Sequence, residues 1–281
     1  MSTVKISAAD VKKLREMTGA GMMDCKKALT EAEGNFDKAI EYLRKKGQKL
    51  SAKRADRVAN EGVVLAITTD DHKKGVVVRL SCETDFVAKN ADFVQLAQSF
   101  ADIALASLPA DKDAFLALPY GDSDLTVGQK VTEQLGVIGE KVEISDYQKL
   151  EATTVCPYIH MGNRAGVLVG LNKEVSGEAF EGGRSVAMQV AAMKPVSVDK
   201  DGVDQSIIQK EIEIGMEQAR AEGKPEAMLE RIAMGKLNKF FKEKTLLNQA
   251  FVKDSKKTVA QFLQSFDKEL TVTDFKHISL G

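Results

Sequence analysis

At 281 residues, 43% hydrophobic and 29% charged, the chain has the make-up of an ordinary globular protein with room for one or two cores plus appendages. Forty lysines and arginines against 41 aspartates and glutamates give a net charge of −1, which excludes a global electrostatic pull toward nucleic acid or an anionic membrane. Three widely separated cysteines, Cys25, Cys82 and Cys156, form no CxxC pair, so neither a disulfide framework nor a zinc site is expected. The start Met1-Ser2-Thr3-Val4-Lys5 lacks an apolar signal core and no run is long enough to span a bilayer. A cytoplasmic protein without membrane attachment is expected.

The first segment shows three short helical patterns. Ser7 and Asp10 form a capping box ahead of a stripe begun by Val11 and Leu14. Gly19 and Gly21 punctuate the end of that stripe, and Thr18 to Met23 is expected as the loop between the first two helices. Cys25, Ala28, Leu29 and Ala32 make a second stripe, stopped by Gly34. Asn35 caps a third helix with Phe36, Ala39, Ile40 and Leu43 inward, ending near Gly47. Such a unit resembles a ubiquitin-associated three-helix module. Met22 and Met23 are adjacent and cannot both face a helix interior, so at least one is exposed, as adaptable partner surface or as a frayed helix start.

Next comes a basic run, from Arg44, Lys45, Lys46 and Lys49 to Lys53, Arg54 and Arg57. It could track phosphates, but no aromatics interleave with it to stack bases. A solvated helix end and linker accounts for it better, with a domain boundary near Ala55.

The body opens with Gly62 to Thr68 and Gly75 to Leu80, two β-branched runs across the polar turn Asp70 to Lys74, which predict a hairpin. Asn90 then caps a helix with Phe93, Leu96, Ala97, Phe100, Ile103 and Ala104 inward. Between strand and helix lies Ser81-Cys82-Glu83-Thr84-Asp85-Phe86-Val87-Ala88-Lys89-Asn90. Phe86 belongs to neither repeat. It is either a loop aromatic folded back onto the core, as large apolar residues usually are, or a probe of a partner. Leu108 to Asp124 reads as a loose connection around a short helix, and Val137 to Ile144 as an alternating strand interrupted at Gly139 by a bulge or close approach.

Gly166 to Leu171 echoes Gly75 to Leu80, and each run leads into a helix, the second carrying Ala187, Val190 and Ala191 and stopping before Pro195. Two related hairpin-plus-helix units are therefore expected to pack together. The second copy lacks the Thr-Asp-Phe step, so Asp85 and Phe86 are not required by the unit itself. Tyr158 to Arg164 reads as a hairpin tip, with His160 as a surface or contact residue. Val203 to Lys244 reads as two helices joined at Gly223-Lys224-Pro225, with Pro225 at the first helical position. Their stripes, Ile208, Ile212, Met216 and Ala219 against Met228 or Leu229, Ile232 and Leu237, are as narrow as those of an antiparallel coiled coil. A helix from Val259 to Phe266 and a last strand near Phe275 to Ile278 complete the chain. The fold class is α+β. Its expected divisions are 1–55 for the helical module and linker, 56–145 for the first core subdomain, 146–202 and 245–281 for the second, and 203–244 for the inserted hairpin.

No nucleophile elbow, phosphate loop, HExxH or paired-carboxylate arrangement occurs, so no enzymatic chemistry and no cofactor are expected. Two long stretches, in order, resemble bacterial elongation factor Ts: Leu80-Ser81-Cys82-Glu83-Thr84-Asp85-Phe86-Val87-Ala88, and Leu14 through Met17-Thr18-Gly19-Ala20-Gly21-Met22-Met23 to Leu29. The resemblance implies that family's fold: the three-helix module, a two-subdomain core with antiparallel sheets, and an inserted helical hairpin. It implies a guanine-nucleotide exchange factor whose partner is elongation factor Tu with GDP. Thr84, Asp85, Phe86 and Val87 would disturb the partner's Mg²⁺, and Arg15, Met22, Met23, Ile138, Gly139, His160 and Gly162 would touch the partner. No direct nucleic-acid contact is implied, and the hairpin offers a surface for a homodimer or a 2:2 complex. Many members continue into a further C-terminal helix, for which nothing follows Gly281 here, so its contacts are not carried over. Two other classes compete: an RNA-binding or ribosome-associated protein, suggested by the basic run, and an adaptor built on the helical module that binds without promoting exchange.

Overall fold

In the computed structural model, residues 5–280 are described; the expected signal-free start, Met1 to Val4, and the terminal Gly281 lie outside them. The first helix, α1 (Ala8–Thr18), starts at the capping box: Asp10 N donates to Ser7 Oγ and Ser7 N to the Asp10 carboxylate, both at 3.1 Å. Helix α2 (Met22–Glu31) and helix α3 (Phe36–Arg54) complete a small bundle around Val11, Leu14, Cys25, Ala28, Leu29 and Ala39.

Three expectations about this segment change. Met22 and Met23 are not loop residues but the first turn of α2, with Gly21 as N-cap. Helix α3 does not end near Gly47 but runs on to Arg54, so the basic run lies mostly on a helix. Gly47 is buried there because a second helix crosses it: an ideal Cβ on Gly47 would lie 3.0 Å from Thr132 O. The residue that looks like a stop is a point of close helix approach.

Two three-stranded antiparallel sheets form the body. The first is β1 (Glu61–Thr68), β2 (Lys74–Cys82) and β3 (Val142–Glu151), in that order, with Glu61 opposite Cys82 and Cys82 opposite Val142. The hairpin of β1 and β2 is as expected. Strand β3 runs through the expected division at 145, which cuts a strand that is continuous to Glu151.

Between β2 and β3 come α4 (Asp85–Ala88), α5 (Ala91–Ser107), α6 (Lys112–Ala117) and α7 (Val127–Ile138). The expected strand over Val137 to Ile144 is corrected: α7 occupies the positions up to Ile138, Gly139 ends it at φ +80°, and the strand starts only at Val142. Gly139 is thus a left-handed helix cap and not a bulge. Helix α7 starts at a second capping box, Thr126 with Gln129, and buries Val127, Val131 and Leu135 at a spacing of four.

The second sheet is β4 (Thr154–Ile159), β5 (Ala165–Leu171) and the last strand, with β5 central. Helix α8 (Gly177–Met193) follows β5, and α9 (Gln205–Ala221) and α10 (Glu226–Lys244) form the inserted hairpin. A two-stranded ribbon unseen in the sequence, β6 (Ala250–Phe251) and β7 (Asp254–Thr258), precedes α11 (Val259–Gln264) and β8 (Val272–Ser279).

The two sheets pack face to face. Val64, Ala66 and Val77 of the first meet Val155, Leu168 and Ile278 of the second. Val63, Leu65, Val76, Val78 and Leu80 point the other way, onto Phe93, Phe100 and Ala104 of α5. Val167, Val169 and Leu171 likewise face Val186, Ala187 and Val190 of α8. Helix, sheet, sheet, helix is the layer order, and it explains why β1, β2 and β5 read as continuous apolar runs: both faces are covered. Gly166 permits the contact, since a Cβ there would lie 3.0 Å from Val64 and Val77.

In the hairpin, Leu229 and not Met228 turns inward, and Pro225 is the N-cap, one position earlier than expected. Its fully buried seam passes through Gly215, Ala219, Leu229, Ala233 and Leu237, with Met216 and Ile232 only partly covered. An ideal Cβ on Gly215 would lie 3.0 Å from Ala233 Cα, so small residues bring the two helices close. Among the described residues no helix is long and apolar enough to cross a membrane.

Candidate partner-binding face

The stretch Cys82 to Lys89 leaves the end of β2 and makes one helical turn, α4. Thr84 is its N-cap: Val87 N donates to Thr84 Oγ1 at 3.4 Å, and Ala88 N and Lys89 N close the turn on Thr84 O and Asp85 O. Val87 and Ala88 pack partly against the core of the first sheet, which leaves Phe86 pointing away from it. Phe86 is 84% exposed. Of the two alternatives for this side chain, burial in the core is thereby removed.

Both residues before Asp85 are bonded elsewhere. Glu83 accepts from Arg54 Nη1, on the last residue of α3, at 2.5 Å, from Arg57 Nη1 just after it at 3.0 Å, and from Lys141 N at 2.6 Å. Thr84 donates its N–H and its hydroxyl to the Glu140 carboxylate at 3.1 and 2.9 Å. Lys141 Nζ in turn donates to Ala55 O and Arg57 O, each at 2.9 Å. Desolvation works to raise the Glu83 carboxyl, yet the Lys141 amide and the two guanidinium groups hold it down at about 2. Burial, with Glu140 nearby, pushes the Cys82 thiol up to about 12, so it is no nucleophile. The Lys89 ammonium, 2.6 Å from Asp85, keeps that exposed carboxyl below its ordinary range.

Ile138 and Gly139 directly precede Glu140, so they stand beside the motif turn. The helical module reaches the same helix: a Cβ on Gly19 would lie 3.6 Å from Val137 Cγ1, and Thr18, Asp24, Gly136 and Val137 line one narrow cleft. Met22 and Met23, at 55% and 75% exposure, start α2 just beyond that turn, and Arg15 is exposed on α1. The tip between β4 and β5 carries His160, whose Nδ1 lies 3.1 Å from Tyr158 Oη, and Gly162 at φ +72°. Arg164 Nη1 reaches Glu61 Oε2 at 3.3 Å, and Glu61 pairs with Cys82 across the sheet. The tip and the motif turn therefore leave the same end of the paired sheets.

Four features of this face escaped the sequence. Met161, 84% exposed on the tip, and Val58, exposed just before β1, extend its apolar surface. Glu83 and Glu140 hold the motif turn, and nothing in their spacing signals it. The basic run is largely spent on carboxylates: Lys45 with Glu41, Lys46 with Asp24, and Arg54 and Arg57 with Glu83. Among the described residues no three His, Cys, Asp or Glu side chains form a metal-ligand cluster. The site is a solvent-facing aromatic on a turn whose base is hydrogen-bonded to two other segments.

Comparison with known proteins identifies the family. The family model described as Elongation factor TS matches residues 83–281. Elongation factor Ts of Christiangramia forsetii is 54% identical over 277 residues, 99% of each chain, and that of Cytophaga hutchinsonii is 54% identical over 281 residues, all of each chain. Elongation factor Ts of Porphyromonas gingivalis is 46% identical over 276 residues, 98% of each.

Proposed function

The chain belongs to the elongation factor Ts family and so is a translation elongation factor, and on that premise we propose that it is a guanine-nucleotide exchange factor for elongation factor Tu. In this reading it binds the GDP-loaded partner in the cytoplasm and catalyses no covalent reaction of its own. Arg15, Met22, Met23, Ile138, Gly139, His160 and Gly162 dock on the partner, while Thr84, Asp85, Phe86 and Val87 approach its nucleotide site. The observation that carries the reading is the 84% exposure of Phe86 on a turn whose base is bonded on two sides.

Leaving a phenylalanine in water forgoes about 2 kcal/mol of burial, which entering a partner would recover. Mg²⁺ demands near-ideal octahedral geometry, so a side chain that shifts its surroundings by a small distance weakens its hold. GDP then loses the metal and part of its phosphate cradle, and leaves. The test is the release of fluorescent GDP from elongation factor Tu. Adding this chain accelerates release in a saturable way. No acceleration at saturating concentration contradicts the reading in favour of the non-exchanging adaptor.

A further inference from the structure

The turn that presents Phe86 is a single helical turn, and one turn has no stability of its own, because fixing its dihedrals is repaid by too few hydrogen bonds. Its shape has to come from outside. We infer, resting on Phe86 being the side chain that meets the partner, that Glu83 and Glu140 are positioning residues which fix the Thr84–Val87 turn, and with it the direction of Phe86. They fix it against the α7–β3 turn on one side and the end of α3 on the other.

Glu140 takes both donors that Thr84 has, N–H and O–H, and leaves Thr84 Oγ1 free to accept from Val87 N. Every polar group of the N-cap is thereby committed. Glu83 takes three donors from two other segments: Arg54 at the end of α3 with Arg57 just after it, and Lys141 N just before β3. Lys141 closes the circuit by donating its ammonium to the Ala55 and Arg57 carbonyls. Three stretches, 54–57, 83–84 and 140–141, are clasped by charged bonds.

Stability alone does not account for this arrangement. The sheet and α5 are already held by a large apolar core, and buried ion pairs are often no better than apolar residues of the same size. What charged, directional bonds supply that an apolar contact does not is a single orientation. Helix α3 adds a consequence: it starts in the helical module and ends in the clasp, so the surface carrying Met22 and Met23 and the aim of Phe86 share one rigid strut.

The experiment compares Glu140→Ala, Glu140→Gln and the unmodified full chain by amide hydrogen exchange and by stimulated GDP release. Glu140→Ala speeds exchange at Val87, Ala88 and Lys89 by at least ~10-fold while the amides of β1, β2 and α5 keep their protection. It lowers the maximal release rate by ~10-fold or more and moves the half-saturating concentration by less than ~3-fold, the pattern of a group that sets geometry and does not hold the partner. Glu140→Gln, which keeps an acceptor oxygen, recovers part of both effects. Unchanged exchange at 87–89 in Glu140→Ala overturns the inference, as does a shift in half-saturation alone. General loss of protection in Glu140→Ala makes the glutamate structural and also overturns it, provided Glu140→Gln shows the same. Should the unmodified chain fail to speed GDP release, the exchange reading fails, and the hydrogen-exchange arm still decides whether Glu140 positions the turn.

Discussion

At the scale of single residues, Phe86 and Glu83 are opposites: one is left in water, the other is held from three sides. Because Phe86 is exposed, Phe86→Ala is expected to change thermal stability by less than about 0.5 kcal/mol while it slows stimulated GDP release. A drop near the 3–5 kcal/mol of a core Phe→Ala, read in a thermal melt, would show that the ring is part of the core. For Glu83 the folded-state pKa, about 2, lies below its ordinary 4.5. A carboxylate lowered on folding stabilises the protein above its ordinary pKa, and that contribution is lost as pH falls from 4.5 toward 2. Glu83→Gln is expected to be about 1–3 kcal/mol less stable than the unmodified chain at pH 7, as for a lost hydrogen bond to a charged group. That gap stays constant down to about pH 5 and closes below 4.5. Denaturant melts at pH 7, 5 and 3 check it, and a gap as wide at pH 3 as at pH 7 contradicts the clasp.

Among the elements, the inserted hairpin is the most separable. Its base is closed by Leu246 N donating to Ser197 O and Val196 N to Lys244 O, each within 2.9 Å, so its two entry points already sit side by side. Replacing Val203 to Lys244 by a short Gly/Ser linker is expected to leave the core folded and exchange largely intact, and to change any self-association, which sedimentation would report. A folded deletion without exchange activity would move the functional surface onto the hairpin. The same scale shows what could be seen in advance and why. Strands β1, β2 and β5 and helix α5 announce themselves because each presents an unbroken apolar stripe to a large core, and α8 does so through Val186, Ala187 and Val190. Helix α7 does not: its inner positions Val127, Val131 and Leu135 are β-branched or isolated, and its last turn, Val137-Ile138, abuts a true strand, so the two periods run together. Helix α3 past Leu43 carries almost no apolar stripe, and Gly47 looks like a stop until the crossing of α7 is known. At the site, Phe86 stands out because it fits neither neighbouring repeat. Glu83 and Glu140 are far apart in the chain and ordinary in type, so only the fold could bring them together.

Across the whole molecule, the paired sheets act as a frame whose one end carries the motif turn, the hairpin tip with His160 and Met161, and, through α7, the helical module. On the proposed function, contacts spread over that end hold the partner while a single aromatic acts on its nucleotide site. Binding of this chain and binding of GDP to elongation factor Tu must then oppose each other, and by the same factor in each direction. Replacing Phe86 by Ala should shrink that factor more than it weakens affinity for the empty partner, since Arg15, Met22, Met23, Ile138 and His160 still dock. Titration calorimetry of the chain against nucleotide-free and Mg²⁺·GDP-loaded elongation factor Tu measures the factor directly. Tighter binding to the empty partner by at least ~10-fold, about 1.4 kcal/mol, is the expected result. Equal affinity for the two forms would contradict exchange by this route.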